Sequence, residues 1–267
     1  MKLLRLLASA LLAGCAAMAP APAIDADLAR TFEHGQVHFR RDGSVLSRRI
    51  DDAMPLLRRL ERSAFRGTVV YLHGCDGINS LGIKTADLLA AAGYLVFVPD
   101  SFARRDKPAS CDPQQFQGGL HREVLGWRQA EADHALKQAG MLPAVDPSHI
   151  FLMGLSEGAI ATATYVGQPL AGRIIEGWTC HAGWPEYRGL HAPANEPVLA
   201  LSSENDPWFQ DPVLRGDCGD FIGAPSPLRR SIVFRPPHPA ASQHDLLWNA
   251  EARRLVLEFL DAAGPRR

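Results

Sequence analysis

The sequence predicts an α/β fold with a mainly parallel sheet, and three observations carry that prediction. First, continuous apolar runs of strand length recur, at Thr68-Val69-Val70-Tyr71-Leu72, Tyr94-Leu95-Val96-Phe97-Val98 and Ile150-Phe151-Leu152-Met153. Strands covered on both faces, as parallel ones are, read as such runs and not as alternation. Second, segments of helical length separate them and stop at glycine: 82–92 before Gly93, and 120–139 before Gly140. Third, the run at 150 passes straight into Gly154-Leu155-Ser156-Glu157-Gly158, followed by the small residues Ala159, Ala161, Thr162 and Ala163. That is a buried strand, a very tight turn and a helix. A fold of this kind carries its site at the carboxyl ends of the strands.

The elements follow in order. Residues 28–50 alternate briefly, as in Gln36-Val37-His38-Phe39, and read as edge strands or a hairpin. Asp51 to Arg62 is amphipathic and basic, but Pro55 interrupts any long helix, so a surface connection is expected there. After the strand at 68–72 comes the loop His73-Gly74-Cys75-Asp76-Gly77. After the strand at 94–98 comes a long loop, 99–119, holding Arg104, Arg105, Lys107 and Cys111. Further strands are expected at Ile174-Ile175, Val198-Leu199-Ala200-Leu201 and Ile232-Val233-Phe234, with a closing helix over 246–259.

At 267 residues, 46% hydrophobic and 21% charged, the chain can bury one sizeable core, and a single domain over 28–267 is expected. A net charge of −1 offers no basic face to nucleic acid. The N-terminus stands apart. Lys2 and Arg5 flank the apolar stretch Leu3 to Leu12, and small residues follow, which is the pattern of a secretory signal. Leu12-Ala13-Gly14-Cys15 resembles the lipobox of bacterial lipoproteins, in which the cysteine is acylated and becomes the mature N-terminus. The expectation is a signal peptide over 1–14, a tether over 15–27 and a lipid anchor at Cys15. The protein is then exported to a bacterial cell envelope and meets the membrane only through that anchor; a plain signal cleaved after Ala17 or Ala19 is the alternative. Export suits the remaining cysteines, Cys75, Cys111, Cys180 and Cys218, an even number with none of the close spacing of a zinc site. Their places on loops at one sheet edge favour Cys75–Cys111 and Cys180–Cys218 over the two other pairings and over free thiols.

A serine hydroxyl needs a base, and the base needs an orienting acid. On α/β-hydrolase scaffolds the three arrive in the order serine, acid, histidine, each after a strand. Ser156 sits on the turn. After 198–201 comes Ser202-Ser203-Glu204-Asn205-Asp206, where Asp206 is the first choice of acid, with Glu204 and Asp211 behind it. After 232–234 comes His244, just before the closing helix; His238, in a proline-stiffened loop, is its rival. The oxyanion needs two backbone N–H donors, expected from Glu157 and Cys75, and the side chain of Glu157 is given no role. Arg104 on the basic loop and Trp208 beside the acid are candidates for substrate contact.

Together, His73-Gly74-Cys75-x-Gly77, Pro99-Asp100-Ser101-Phe102, Gly154-x-Ser156-x-Gly158, Asn205-Asp206 and Gln243-His244 resemble the dienelactone hydrolase family of α/β-hydrolases over roughly 66–259. The resemblance implies an eight-stranded type of sheet flanked by helices, no large cap domain, no metal and no cofactor. Two departures stand out: the family's namesake uses a cysteine where Ser156 stands, and a glutamate against that thiol where Gly74 stands. A small-molecule ester or lactone, opened through an acyl-serine, is the expected substrate. Acyl transfer to another acceptor and a non-catalytic ligand-binding lipoprotein are the competing readings.

Overall fold

The computed structural model describes residues 26–107 and 109–264, so the signal, most of the tether and Cys15 lie outside the described residues. The strands in chain order are β1 (Gln36–Arg41), β2 (Ser44–Arg49), β3 (Thr68–Leu72), β4 (Leu95–Val98), β5 (Cys111–Asp112), β6 (Gln117–Gly118), β7 (Ile150–Leu155), β8 (Gly172–Glu176), β9 (Val198–Ser203) and β10 (Arg229–Phe234). The α-helices are α1 (Ala26–Glu33), α2 (Ile50–Leu57), α3 (Ser80–Ala91), α4 (Val124–Gly140), α5 (Glu157–Thr164), α6 (Gly219–Ile222) and α7 (Ala250–Ala263).

Eight strands form one sheet in the order β10-β9-β8-β7-β3-β4-β1-β2. The six from β10 to β4 run parallel, and the β1–β2 hairpin pairs antiparallel at one edge. The hairpin turns at Asp42 and Gly43, both at positive φ (50° and 84°), which matches the twist of a two-residue β-turn. β5 and β6 make a separate two-stranded ribbon inside the long loop. The runs read from the sequence as strands are strands, lengthened by two or three residues at β7, β8, β9 and β10 and shortened by one at β4.

Side chains of each central strand alternate between two cores, as the period of two demands. Val70, Leu72, Leu152, Ile175 and Ala200 join α1, α2, α4 and α5 on one face. Val69, Tyr71, Met153, Ile174 and Leu199 join α3 and α7 on the other. The helices are fixed by ordinary local chemistry. Asn79 accepts from the N–H of Leu81 and of Gly82 at the start of α3, and Asn249 from that of Glu251 at the start of α7.

Several expectations are corrected. Residues 51–62 are not merely a surface connection. Ile50, Ala53 and Leu57 form a buried helical stripe, and that burial outweighs the N–H that Pro55 lacks in α2. Ala26 and Asp27, expected in a tether, open α1, which also takes the start of the 28–50 stretch expected as edge strands and buries Thr31 and Phe32. The helix expected from 120 begins at Val124, and the closing helix is split into a short 3₁₀ turn (Leu246–Trp248) and α7.

Candidate active site

Ser156 stands between β7 and α5 with φ 56° and ψ −118°, a conformation that a residue bearing a Cβ seldom adopts. Packing enforces it. A Cβ on Gly158 would overlap the carbonyl oxygens of Leu72 and His73, and one on Gly154 would overlap the Gly158 carbonyl and the Thr162 hydroxyl. Glycine at both positions lets α5 start hard against β3, and the turn between has no room to relax. The Ser156 N–H donates to the Glu176 carbonyl at the end of β8 (2.9 Å), which pins the turn to the neighbouring strand.

Asp206 follows β9 and is buried. His244 Nδ1 donates to its Oδ2 at 2.7 Å, and the Trp208 N–H donates to its Oδ1 at 3.0 Å. Nε2, on the opposite edge of the imidazole, is buried with no hydrogen-bond partner among the described residues. The ring is gripped by Trp208, stacked at 5.2 Å between centroids, and by Phe209 at 5.6 Å. Beneath it runs Gly177, at φ 64°, where a Cβ would lie 2.9 Å from the His244 carbonyl oxygen and 3.3 Å from Cε1. The rivals are engaged elsewhere. Glu204 faces Arg235 (3.4 Å), Asp211 caps the Val213 N–H, and His238 stacks on Phe234 and meets Glu251.

Cysteines close the walls. Cys75 is bonded to Cys111 and Cys180 to Cys218, the pairing favoured from the sequence. The first bridge ties the loop after β3 to the β5–β6 ribbon. The second ties the loop after β8 to the start of α6. Gly74 faces the serine, since a Cβ there would lie 3.6 Å from Ser156 Cβ; the position of the namesake's glutamate holds only hydrogen.

Below the loop after β3 lies a buried charge cluster that the sequence reading missed. Arg128 on α4 is fully buried. Its guanidinium donates to the His73 carbonyl (2.7 Å), approaches His73 Nε2 (3.1 Å) and meets Glu131 Oε2 (3.3 Å) and Glu157 Oε1 (3.7 Å). The Ser101 N–H also donates to His73 Nε2, and His73 Nδ1 donates to the Gly74 carbonyl (2.6 Å). Burial and the nearby Arg128 hold His73 well below the ordinary histidine range, so the ring is neutral and both its nitrogens are used. Arg104 must be corrected as a substrate contact. Its guanidinium is held by Glu131 Oε1 at 2.5 Å, its side chain is 7% exposed, and it does not line the cavity at the serine. Lys107 is likewise turned inward, 3.9 Å from Glu157, and burial lowers its pKa despite that acid. Arg105 is exposed at the surface near Asp27. The Glu157 carboxylate, assigned nothing from the sequence, takes the Ser110 hydroxyl as well. No local motif announces this cluster, though an Arg and a Glu three apart on one helix face, at 128 and 131, are its one sequence trace.

Glu176, on β8, is also a buried acid. Its Oε1 accepts from the Leu247 N–H (2.9 Å), and desolvation raises its pKa to about 8. One residue thus touches the serine turn through its carbonyl and the histidine loop through its side chain.

Over Ser156 opens a cavity of about 400 Å³. Cys75 and Glu157 border it, as do Gly118 and Gly119 from the ribbon, and Trp178, Trp184, Tyr187, Trp208 and Phe209 wall it. Trp208 therefore lies where the sequence suggested.

Comparison with known proteins accords with this architecture. No curated protein matches the chain. Solved structures share its fold at low identity. A dienelactone hydrolase-like promiscuous phosphotriesterase from metagenomic libraries is 17% identical, with a TM-score of 0.52 over 86% of this chain and 98% of that one. A Klebsiella pneumoniae protein provisionally assigned as a dienelactone hydrolase is 17% identical, with a TM-score of 0.53 over 73% of this chain and 86% of that one. Residues 61–215, more than half of the sequence, match the dienelactone hydrolase family. The chain belongs to the dienelactone hydrolase family, a family of carboxylic-ester hydrolases.

Proposed function

We propose that the protein cleaves a carboxylic ester or lactone through an acyl-enzyme on Ser156. The observation that carries this reading is the Asp206–His244 hydrogen bond of 2.7 Å on the loops beside a serine held at φ 56°. His244 Nε2 takes the serine proton as Oγ attacks the ester carbonyl, then returns it to the leaving alkoxide. Water, activated by the same nitrogen, frees the acid and regenerates the serine. Asp206 fixes the tautomer with Nδ1 protonated and stabilises the imidazolium. The backbone N–H groups of Cys75 and Glu157 hold the oxyanion, each worth on the order of 3 kcal/mol in the transition state.

The test is labelling by a fluorophosphonate probe with turnover of simple esters. Ser156→Ala should abolish labelling and lower kcat by roughly 10⁴–10⁶, as should His244→Ala for turnover. The double variant should be scarcely worse than either single one, because the residues act as a unit. Full activity in Ser156→Ala would reject the mechanism.

We also infer export and lipidation at Cys15, from Leu12-Ala13-Gly14-Cys15 after a charged, apolar start. Wild-type protein should partition with membranes and Cys15→Ser should not. Soluble wild type with an N-terminus beyond residue 15 rejects the anchor.

A further inference from the structure

The proposed reaction leaves the substrate unnamed, and the cavity narrows it. Its volume of about 400 Å³ is more than twice the ~150 Å³ that suffices for a benzene ring. Its walls are aromatic and aliphatic, with Trp178, Trp184, Tyr187, Trp208, Phe209 and Leu214 contributing most of them. Two acids, Glu157 and Asp211, border it, and no Lys, Arg or His side chain lines it among the described residues.

The reason is the buried cluster. The cations that the long loop and α4 bring near the serine are spent on internal acids. Arg104 is held by Glu131, and Arg128 and Lys107 lie beside Glu157. The Lys107 and Arg128 side chains are at most 2% exposed, so none is free to meet a ligand. Glu157 is in turn occupied by Ser110, and Asp211 is the exposed acid at the rim. An anion entering here would shed its hydration without gaining a countercharge, beside a carboxylate. A neutral apolar group loses little hydration and meets ring faces and edges on several sides.

We propose that the ester cleaved at Ser156 carries a neutral, largely apolar group the size of one or two aromatic rings, and that anionic esters are rejected. This rests on the serine-hydrolase reading above. The basic residues of the loop after β4 then serve the interior of the protein, not the substrate.

The experiment compares methyl esters of matched length by following acid release: methyl 4-phenylbutanoate as the neutral probe and monomethyl suberate as the anion. It also compares choline butyrate with its neutral isostere 3,3-dimethylbutyl butyrate. The neutral methyl ester should exceed the anion in kcat/KM by on the order of 100-fold, within the range over which apolar pockets discriminate. The choline ester should not exceed its isostere. Val213→Lys, which puts a cation on an exposed part of the cavity wall, should narrow the gap between the neutral and anionic probes by about tenfold. Equal or better cleavage of the anion overturns the inference, and so does a preference for the choline ester. Either result with Ser156 labelled by a fluorophosphonate leaves the hydrolase reading standing. Absence of both labelling and turnover in folded wild type would instead overturn that reading.

Discussion

A single hydrogen atom decides how His244 is held. At Gly177 the backbone lies at φ 64° and passes so close to His244 that a methyl group would press on both its carbonyl oxygen and its ring. Gly177 touches no reacting atom, so its role is one of positioning. Gly177→Ala should lower kcat by roughly 10–100-fold through displacement of the imidazole. It should also cost about 1–3 kcal/mol in stability from the strained backbone. Steady-state kinetics beside a urea titration checks this, and rescue is not expected from raising substrate. Asp206→Asn should leave the fold intact and still reduce kcat by roughly 10⁴, because the amide no longer enforces the required tautomer.

Among the elements, α4 does more than cover the sheet. Through Arg128 it grips the loop that carries His73, Gly74 and Cys75 and reaches Glu157 on α5, and through Glu131 it holds Ser101 and Arg104 of the loop after β4. Both expected oxyanion donors therefore belong to segments anchored on one guanidinium. Arg128→Met should destabilise the protein by about 3–5 kcal/mol, since it strands Glu131 and Glu157 as buried acids with fewer partners. Adding Glu131→Met should recover part of that loss, which denaturant midpoints of the single and double variants will show. This cluster also marks where reading the sequence stops. The central strands and the elbow were legible because apolar runs and Gly-x-Ser-x-Gly are local signals. The pairing of Asp206 with His244 was legible because the order of loops after strands fixes their place. The network joining residues 73, 101, 104, 128, 131 and 157 depends on contacts between distant segments, so Arg104 looked like a substrate clamp. Helix α2 was missed because Pro55 is a strong local signal, overridden by the burial of Ile50, Ala53 and Leu57.

For the molecule as a whole, the buried titratable groups shape stability against pH. Folding raises the Glu176 carboxyl from its ordinary 4.5 to about 8, so between those values the native protein keeps a proton that the unfolded chain has released. Its contribution is full below about 4.5, declines as pH rises and is gone above about 8. Asp100 and Asp245, also raised by burial, act in the same direction. His73 works oppositely. Its lowered pKa gives a contribution that is full above the ordinary histidine value and lost as pH falls through its native one. Glu176→Gln keeps an acceptor for the Leu247 N–H, so it should flatten the alkaline decline. At pH 9 it should be more stable than wild type, and at pH 5 nearly equal to it, as thermal midpoints across that range will report.

The bridge between Cys75 and Cys111 has a bearing on when this protein becomes a catalyst. The ribbon it joins has only two residues per strand, and the loop it restrains presents an expected oxyanion donor. Synthesis delivers thiols, and the sheet, the elbow and the Asp206–His244 pair contain none of the four bridged cysteines. We expect a newly made chain kept reduced to fold and still be idle, with the cavity wall unfastened. Cys111→Ser should reproduce that latent form in mature protein, with kcat depressed and the Asp206–His244 pair still in register. Oxidation would then be the last step of maturation, and activity would begin where thiols are allowed to pair.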